Sequence, residues 1–242
     1  MLLLIDADIP CFSAATGAEE EIEWDVDTWT VHMDLNKAKE RFTSLLQKYQ
    51  EDTGLKEFKL CFSGLQNFRK TLNPSYKANR KGRKPVGYMA LKSWAKETYP
   101  HMEKDVLEAD DCLGILMTKF KGKAVICSMD KDLLTIPGRM WHLSPDTSGK
   151  WVESTEAEAN YRFLTQTITG DHTDGYSGIP GTGPKGAEAI LKKHGAVWKT
   201  VEDAYIKAGL TAEDALMNAR MARILRAEDW DFETNEVKLW KP

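Results

Sequence analysis

Four short groups of carboxylates punctuate the chain: Asp6 and Asp8 in Ile5-Asp6-Ala7-Asp8; Glu108, Asp110 and Asp111 in Glu108-Ala109-Asp110-Asp111; Asp130 and Asp132 in Ser128-Met129-Asp130-Lys131-Asp132; Asp171 and Asp174 in Gly170-Asp171-His172-Thr173-Asp174. Singly each has an ordinary explanation. A D-x-D at a strand end caps a turn or a helix, and acids in the first turn of a helix complement its dipole. If the groups converge, up to nine carboxylates repel one another, and such a set is tolerable only with cations to neutralise it. Oxygen donors with no cysteine and few histidines nearby select hard ions, Mg²⁺ or Mn²⁺ rather than Zn²⁺. Two such ions about 4 Å apart are the apparatus of phosphodiester hydrolysis, one activating water and one stabilising the leaving oxygen.

Apolar runs at 1–5, 58–62 and 124–129 read as buried strands, and the first and third end in carboxylate groups. Ligands of an open α/β sheet bind beyond the carboxyl ends of its strands. Ala38, Phe42, Leu45, Leu46 and Tyr49 repeat at helical spacing, as do Val106, Ala109, Leu113, Leu116, Met117 and Phe120. Glu108 and Asp111 then share a face of the second helix's first turn, with Asp110 about a quarter-turn away. Strands alternating with helices predict an α/β fold with a mostly parallel sheet flanked by helices. The acidic stretch 19–27, followed by alternating Trp29, Val31 and Met33, predicts a surface excursion with a short edge strand. After Trp141 the strand signal fades; 157–167, 185–194 and 212–227 read as helices, with one final strand at 236–240. The expected organisation is an α/β core over 1–150 and a helical region over 151–242.

At 242 residues, 42% apolar and 29% charged, the chain can bury a sizeable core and is neither disordered nor fibrous. No run reaches the roughly 18 apolar residues of a membrane span, and the apolar start is cut off by Asp6, too soon for a signal peptide. This places the protein in the cytoplasm. Cys11, Cys61, Cys112 and Cys127 lack C-x-x-C spacing and read as reduced core residues. A net charge of −4 argues against a non-specific nucleic-acid coat protein. Yet Arg69, Lys70, Lys77, Arg80, Lys81, Arg83, Lys84, Lys92 and Lys96 follow one another without an intervening acid, one surface suited to an anion. Beyond the fourth carboxylate group, Gly178-Ile179-Pro180-Gly181-Thr182-Gly183-Pro184-Lys185-Gly186-Ala187 leads into a helix. Its glycines expose N–H groups at a helix N-terminus, a phosphate-binding arrangement. The spacing fits neither a Walker A loop nor a dinucleotide fingerprint. A plain turn between helices is the competing reading.

The ordered motifs D-x-D, F-R-K-x-L-x-P-x-Y-K-A-N-R, E-A-D-D, S-x-D-K-D and G-D-x-x-D-G-x-x-G-I-x-G-x-G span the chain. In this order the sequence resembles the podovirus-type phage 5′-to-3′ exonucleases of the flap-endonuclease, PIN-like superfamily. The resemblance implies a PIN-like nuclease core, a basic arch at about 69–96 and a C-terminal helix–three-turn–helix DNA-binding module. It implies a first metal site of Asp6, Glu108, Asp110 and Asp111, and a second of Asp130, Asp132, Asp171 and Asp174. Asp8 has no firm assignment. It implies catalytic roles for Lys77, Arg80, Asp6, Asp111 and Asp130. DNA contacts would come from Arg69, Tyr76, Lys77, Arg80, Lys81, Arg83 and Lys84, and from Gly178, Gly181, Gly183 and Lys185, where K⁺ can sit. One departure stands out: where the family carries a further Asp after the second strand, this chain reads Phe62-Ser63-Gly64-Leu65.

The activity this implies is hydrolysis, with two Mg²⁺ or Mn²⁺ ions, of phosphodiesters at 5′ ends, nicks or flaps of duplex DNA, RNA primers on DNA included. The setting would be phage replication, recombination or host DNA degradation in the host cytoplasm, by a monomer alongside phage replication proteins. Recognition would be of structure rather than sequence, because backbone contacts carry no sequence information. Two other readings remain. Leu3-Leu4-Ile5-Asp6-Ala7-Asp8 is similar to the nucleophile motif of haloacid-dehalogenase-type phosphatases, although Pro10 departs from it and the basic segment has no role there. A non-catalytic DNA binder could use the glycine turn alone but gains nothing from the acids.

Overall fold

The computed structural model describes residues 1–80, 82–144 and 149–242. The first half runs β1 (Leu2–Asp6), α1 (Asp8–Thr16), β2 (Glu19–Asp25), β3 (Thr28–Met33), α2 (Leu35–Thr53), β4 (Phe58–Ser63), α3 (Phe68–Leu72), α4 (Tyr88–Thr98), β5 (His101–Lys104) and α5 (Ala109–Lys119). It continues with β6 (Ala124–Ser128), a 3₁₀ turn (Lys131–Thr135), β7 (Gly138–His142), β8 (Lys150–Ser154), α6 (Glu156–Thr169), β9 (Gly170–Asp171), β10 (Tyr176–Ser177), α7 (Pro184–His194), α8 (Trp198–Lys207) and α9 (Ala212–Ala222). A second 3₁₀ turn (Ala227–Asp229), β11 (Trp230–Asp231) and β12 (Glu236–Val237) close the chain.

The main sheet has the order β5-β4-β1-β6-β7-β8, parallel from β5 to β7, with β8 antiparallel at the edge. From β1 the chain goes to β4 on one side and to β6 on the other, so the strand order switches at β1. The crevice that such a switch opens lies beyond Asp6. Both faces of the central strands are covered, which is why they read as continuous apolar runs. Leu3, Ile5, Leu60, Phe62 and Cys127 face α1, α2 and α4 through Cys11, Phe42, Leu46 and Leu91. Leu4, Cys61 and Ile126 face α5 through Cys112, Leu113 and Leu116. All four cysteines are buried and unpaired. No helix among the described residues is long and apolar enough to cross a membrane.

Several expectations need correction. The acidic stretch and the alternating run after it form a hairpin, β2 with β3, in a sheet of their own rather than an edge strand. Met33 is buried while Trp24 is 68% exposed, so only the base of the hairpin reaches the core. The main sheet does not stop near Trp141: β8 pairs with β7, Trp141 opposite Trp151, and carries the α/β part to Ser154, beyond residue 150. Helix α8, absent from the expected helices, has no capping side chain to mark its start, although Trp198, Val201, Ala204 and Tyr205 repeat at helical spacing and pack inward. α9 stops at Ala222 rather than 227. The chain then returns to the sheet, where Ile224, Leu225 and Trp230 join the α5 side of the core. The final strand is only Glu236–Val237, paired with β11. Helices α6 to α9 share a third core around Phe163, Ile168, Leu191, Val201, Tyr205 and Ala219.

Candidate active site

The end of β1, the turn after β6 and the N-terminus of α5 bring the first carboxylates to one crevice. The Ser128 hydroxyl donates to Asp6 Oδ2 at 2.9 Å and accepts the Asp130 N–H at 3.1 Å, linking two strand ends. Asp130 Oδ1 accepts the Asp132 N–H at 2.8 Å and starts the 3₁₀ turn. Burial pushes Asp6 up to about 7, with Asp8 and Asp130 adding repulsion against the Ser128 bond. Burial, then Asp6, Asp130 and Glu108, push Asp110 well above the usual carboxylate range. Asp132 rises to about 6 through burial, Asp130 and Asp171. These groups load one another with charge, and a cation relieves that load. The donors are all oxygen, which fits a hard divalent ion. As the side chains stand, no three His, Cys, Asp or Glu among the described residues are gathered closely enough to hold an ion. The set is electrostatically primed rather than preassembled.

Cations face the acids from the segment after α3. Lys77 adopts a positive φ of 54°, and its N–H donates to the Asp174 carbonyl at 2.8 Å, docking this segment on the turn between β9 and β10. Its ammonium pairs with Glu108 and stands 3.6 Å from Asp174, while Arg80 pairs with Asp174. Burial works against the charge of Glu108, but Arg69 and Lys77 hold it at about 2. Asp171 Oδ1 accepts the N–H groups of Thr173 and Asp174 at 2.8 and 3.1 Å, shaping that turn. Arg83 is exposed and lies 3.3 Å from Glu19 on the hairpin; the Lys84 ammonium lies over the Tyr88 ring. Lys81 lies outside the described residues. Lys92 and Lys96 belong to α4 and pair with Glu103 of β5, so the far end of the basic run fastens the sheet.

Three of the expected site residues are placed elsewhere. Asp111 is fully buried, with both oxygens 2.8 Å from the Arg69 guanidinium and further bonds from the N–H groups of Leu225 and Glu108. It has no oxygen left for an ion or for catalysis. Arg69, 3% exposed, also donates to the carbonyls of Met221 and Arg223, so it is committed inside the protein and is no DNA contact. Tyr76 is buried with its hydroxyl on Glu108 at 2.8 Å, and cannot stack on a base. It orients a carboxylate instead. Long-range burial, invisible in the local sequence, separates these three from their neighbours.

The departure after β4 has a structural counterpart. Ser63 Oγ accepts the Ala109 N–H at 3.0 Å at the start of α5, and the Ser63 N–H donates to Asp8 Oδ2 at 3.0 Å. Asp8 Oδ1 accepts the Tyr88 hydroxyl at 2.9 Å, so Asp8 ties β4 and α4 to the crevice. At Gly64 a Cβ would lie 2.2 Å from the Lys104 carbonyl. There is no room for a carboxylate side chain at this position. Gly64→Ala is expected to cost about 1–3 kcal/mol of stability through overpacking, read by urea unfolding; an unchanged midpoint would show that β5 yields.

In the glycine loop, Gly178 is buried, and a Cβ there would lie 2.1 Å from the Ile168 carbonyl. Its lack of a side chain serves packing on α6 rather than a ligand, which corrects the reading of Gly178 as a direct contact. Gly181, at φ +72°, and Gly183 open to free space, and Gly183 caps α7 without a side-chain bond. Lys185 is exposed on the first turn of α7.

Two clefts of about 1020 and 1100 Å³ share a wall of Lys77, Arg80, Glu108, Asp110, Asp130 and Lys131. Asp6 and Asp8 open on the larger; Asp132, Asp171 and Asp174 open on the smaller, with α6 as its other side.

A switched, mostly parallel sheet with buried oxygen donors at its strand ends, faced by lysine and arginine, defines an α/β protein built to handle phosphate esters. The profile of the 5′-3′ exonuclease N-terminal resolvase-like domain matches residues 2–162, and the chain belongs to the 5′-3′ exonuclease family. The Exonuclease of Escherichia phage T7 and the Exodeoxyribonuclease of Enterobacteria phage T3 are each 32% identical to it, over 100% of this chain and 93% of theirs. Among solved structures, a phage T5 5′-exonuclease with bound divalent metal ions (zinc) shares the fold at a TM-score of 0.65. It is 15% identical, over 91% of this chain and 88% of that one.

Proposed function

We propose that this chain is a divalent-metal-dependent 5′-3′ exodeoxyribonuclease and flap endonuclease that cuts duplex DNA at 5′ ends, nicks or flaps. The observation that carries the reading is the crevice shared by Asp6, Asp110 and Asp132, whose carboxyls are raised by desolvation and by neighbouring acids, Asp130 among them in each case, with Lys77 and Arg80 facing them. Such mutual repulsion costs stability and has a clear chemical use. Asp6, Glu108 and Asp110 would hold one divalent ion, and Asp130, Asp132, Asp171 and Asp174 a second, Mg²⁺ with Mn²⁺ able to replace it. Bound there, such ions supply water activation and neutralise charge on the leaving oxygen. Water adds to phosphorus and the bond to the 3′ oxygen breaks, so the product released from the 5′ side ends in a 3′ hydroxyl and the remaining strand carries the new 5′-phosphate.

Lys77 and Arg80 would place positive charge where the scissile phosphate gains negative charge, an effect worth roughly 3 kcal/mol for one well-aimed donor. Arg83 and Lys84 would extend this charge along the strand. Gly181, Gly183 and Lys185 at the start of α7 would offer backbone N–H groups and a cation to the duplex backbone, within a helix–three-turn–helix module and with K⁺ as a bridging ion. RNA primers on DNA are within reach of the same chemistry. The protein would act as a monomer in the host cytoplasm beside phage replication proteins.

The test is a time course on a nicked duplex labelled at the 5′ end of the downstream strand, in Mg²⁺ and in EDTA, beside Asp171→Asn. Metal-dependent release of label that the variant loses is the expected result. Binding without cleavage would favour a structural DNA binder, and neither would favour a phosphatase.

A further inference from the structure

Five cations line the cleft between the second carboxylate group and α6: Arg69, Lys77, Arg80, Lys131 and Arg162. Three already have acidic partners: Arg69 has Asp111, Lys77 has Glu108, and Arg80 has Asp174. Lys131 and Arg162 are exposed, and among the described residues neither forms an ion pair within 4.0 Å. For Arg162 this follows from local structure. The acid one turn before it, Glu158, is held by the N-terminus of α6, with Oε2 accepting the Thr155 N–H and hydroxyl at 2.8 Å each. One turn after it, Gln166 reaches Asp132 at 3.4 Å. Glu158, Arg162 and Gln166 therefore form one stripe of α6, and all three line the cleft. Arg162 stands about 6 Å of helix rise from the residue that touches the second carboxylate group. Lys131 sits between Asp130 and Asp132 on the turn packed against α6 and opens on both clefts.

A polyanion entering this cleft meets Glu108, Asp110, Asp130, Asp132, Asp171 and Asp174, and two of the facing cations are largely spent on those acids. Among the five cations of the cleft, those without an acidic partner can meet the polyanion without first giving up an ion pair. We propose that Lys131 and Arg162 form a second phosphate-binding pair that holds the DNA strand against the α6 wall, next to the phosphate addressed by Lys77 and Arg80. Neither belongs to the basic run that attracts attention in the sequence. This rests on the nuclease reading of the site. The ligand is the sugar-phosphate backbone without regard to base, because Gln166, the one amide of this stripe, is turned to Asp132 rather than to a base edge.

The experiment measures binding of a nicked duplex, by fluorescence anisotropy in Ca²⁺ over a range of salt, for wild type, Lys131→Gln, Arg162→Gln, the double variant and Arg162→Lys. Lys199→Gln serves as a control for net charge, since Lys199 pairs with Glu202 and Asp203 on α8. Each phosphate contact contributes about 0.7–0.9 to the slope of log K against log salt. The slope is expected to become shallower by about that amount for each Gln substitution and by about twice it for the double variant. Arg162→Lys keeps the wild-type slope, and the fall in affinity exceeds the fall in single-turnover rate at saturating DNA. An unchanged slope in Arg162→Gln and Lys131→Gln, with a wild type that binds and cuts, overturns the pair. An equal change in Lys199→Gln also overturns it, since the effect is then one of net charge. A wild type that neither binds nor cuts removes the nuclease reading itself.

Discussion

Asp110→Asn is expected to abolish cleavage and, measured in EDTA, to raise the melting temperature. A substitution at a working carboxylate that stabilises the fold is the signature of a site held together against its own repulsion. Asp110 is raised by burial and by Asp6, Asp130 and Glu108, so removing its charge relieves all three neighbours at once. The same physics fixes the pH dependence. Asp6 is pushed from 3.8 to about 7, so between those values the folded state keeps a proton that the unfolded state has lost. Stability in EDTA therefore falls as pH rises through this window. At 1.36 kcal/mol per pKa unit the loss is on the order of 2–4 kcal/mol once sharing among the coupled carboxylates is allowed for. Mg²⁺ should reverse the order, stabilising the wild type at pH 8 by binding the folded state and doing much less for the variant. Thermal melts at pH 5 and pH 8, with EDTA and with Mg²⁺, measure all of this. A variant less stable than wild type in EDTA at pH 8 would mean that Asp110 is satisfied by partners rather than strained.

The sheet and the ends of its strands are legible in the sequence for a physical reason. Strands β1, β4 and β6 are covered on both faces, which forces continuous apolar runs, and the acids after β1 and β6 cannot lie inside those runs. What is not legible is partnership across the chain. Asp110 and Asp111 are adjacent and chemically identical, and a turn of about 100° sends one toward the cleft and the other into the protein. Only Arg69, 42 residues earlier, and the N–H of Leu225, 114 residues later, show which is which. Arg69 and Tyr76 sit in a polar, basic run that reads as surface, and become buried because α9 and the turn between β9 and β10 close over them. Cationic residues without acidic partners are equally silent. Arg162 is one charged residue on an amphipathic helix until Glu158 is seen to be committed to the cap. The hairpin's alternation predicts a strand but carries no information on which sheet it joins.

Arg69→Met is expected to be the most destabilising single change in the region, by about 3–5 kcal/mol, because it leaves Asp111 charged, buried and without its partner. It also frees the carbonyls of Met221 and Arg223. Asp111→Asn should cost less, since an amide retains part of the hydrogen bonding to the N–H groups of Leu225 and Glu108 while losing the bidentate ion pair. Urea unfolding at pH 7.5 gives both values, and the double variant gives the coupling between them. Metal titration separates this structural role from ligation. Below its melting transition, Asp111→Asn should bind Mn²⁺ with nearly wild-type affinity, whereas Asp110→Asn should bind it far more weakly. A stable Asp111→Asn with lost metal affinity would restore Asp111 to the metal site. The expected opposite outcome has a consequence for catalysis. Arg69 also touches Glu108 at 3.2 Å, so the pair that fastens α3, α5 and the segment after α9 also sets where a carboxylate of the crevice stands. Loosening it in Asp111→Asn should lower the single-turnover rate at saturating Mg²⁺ and DNA, because Glu108 is then held by Lys77 and Tyr76 with one constraint fewer.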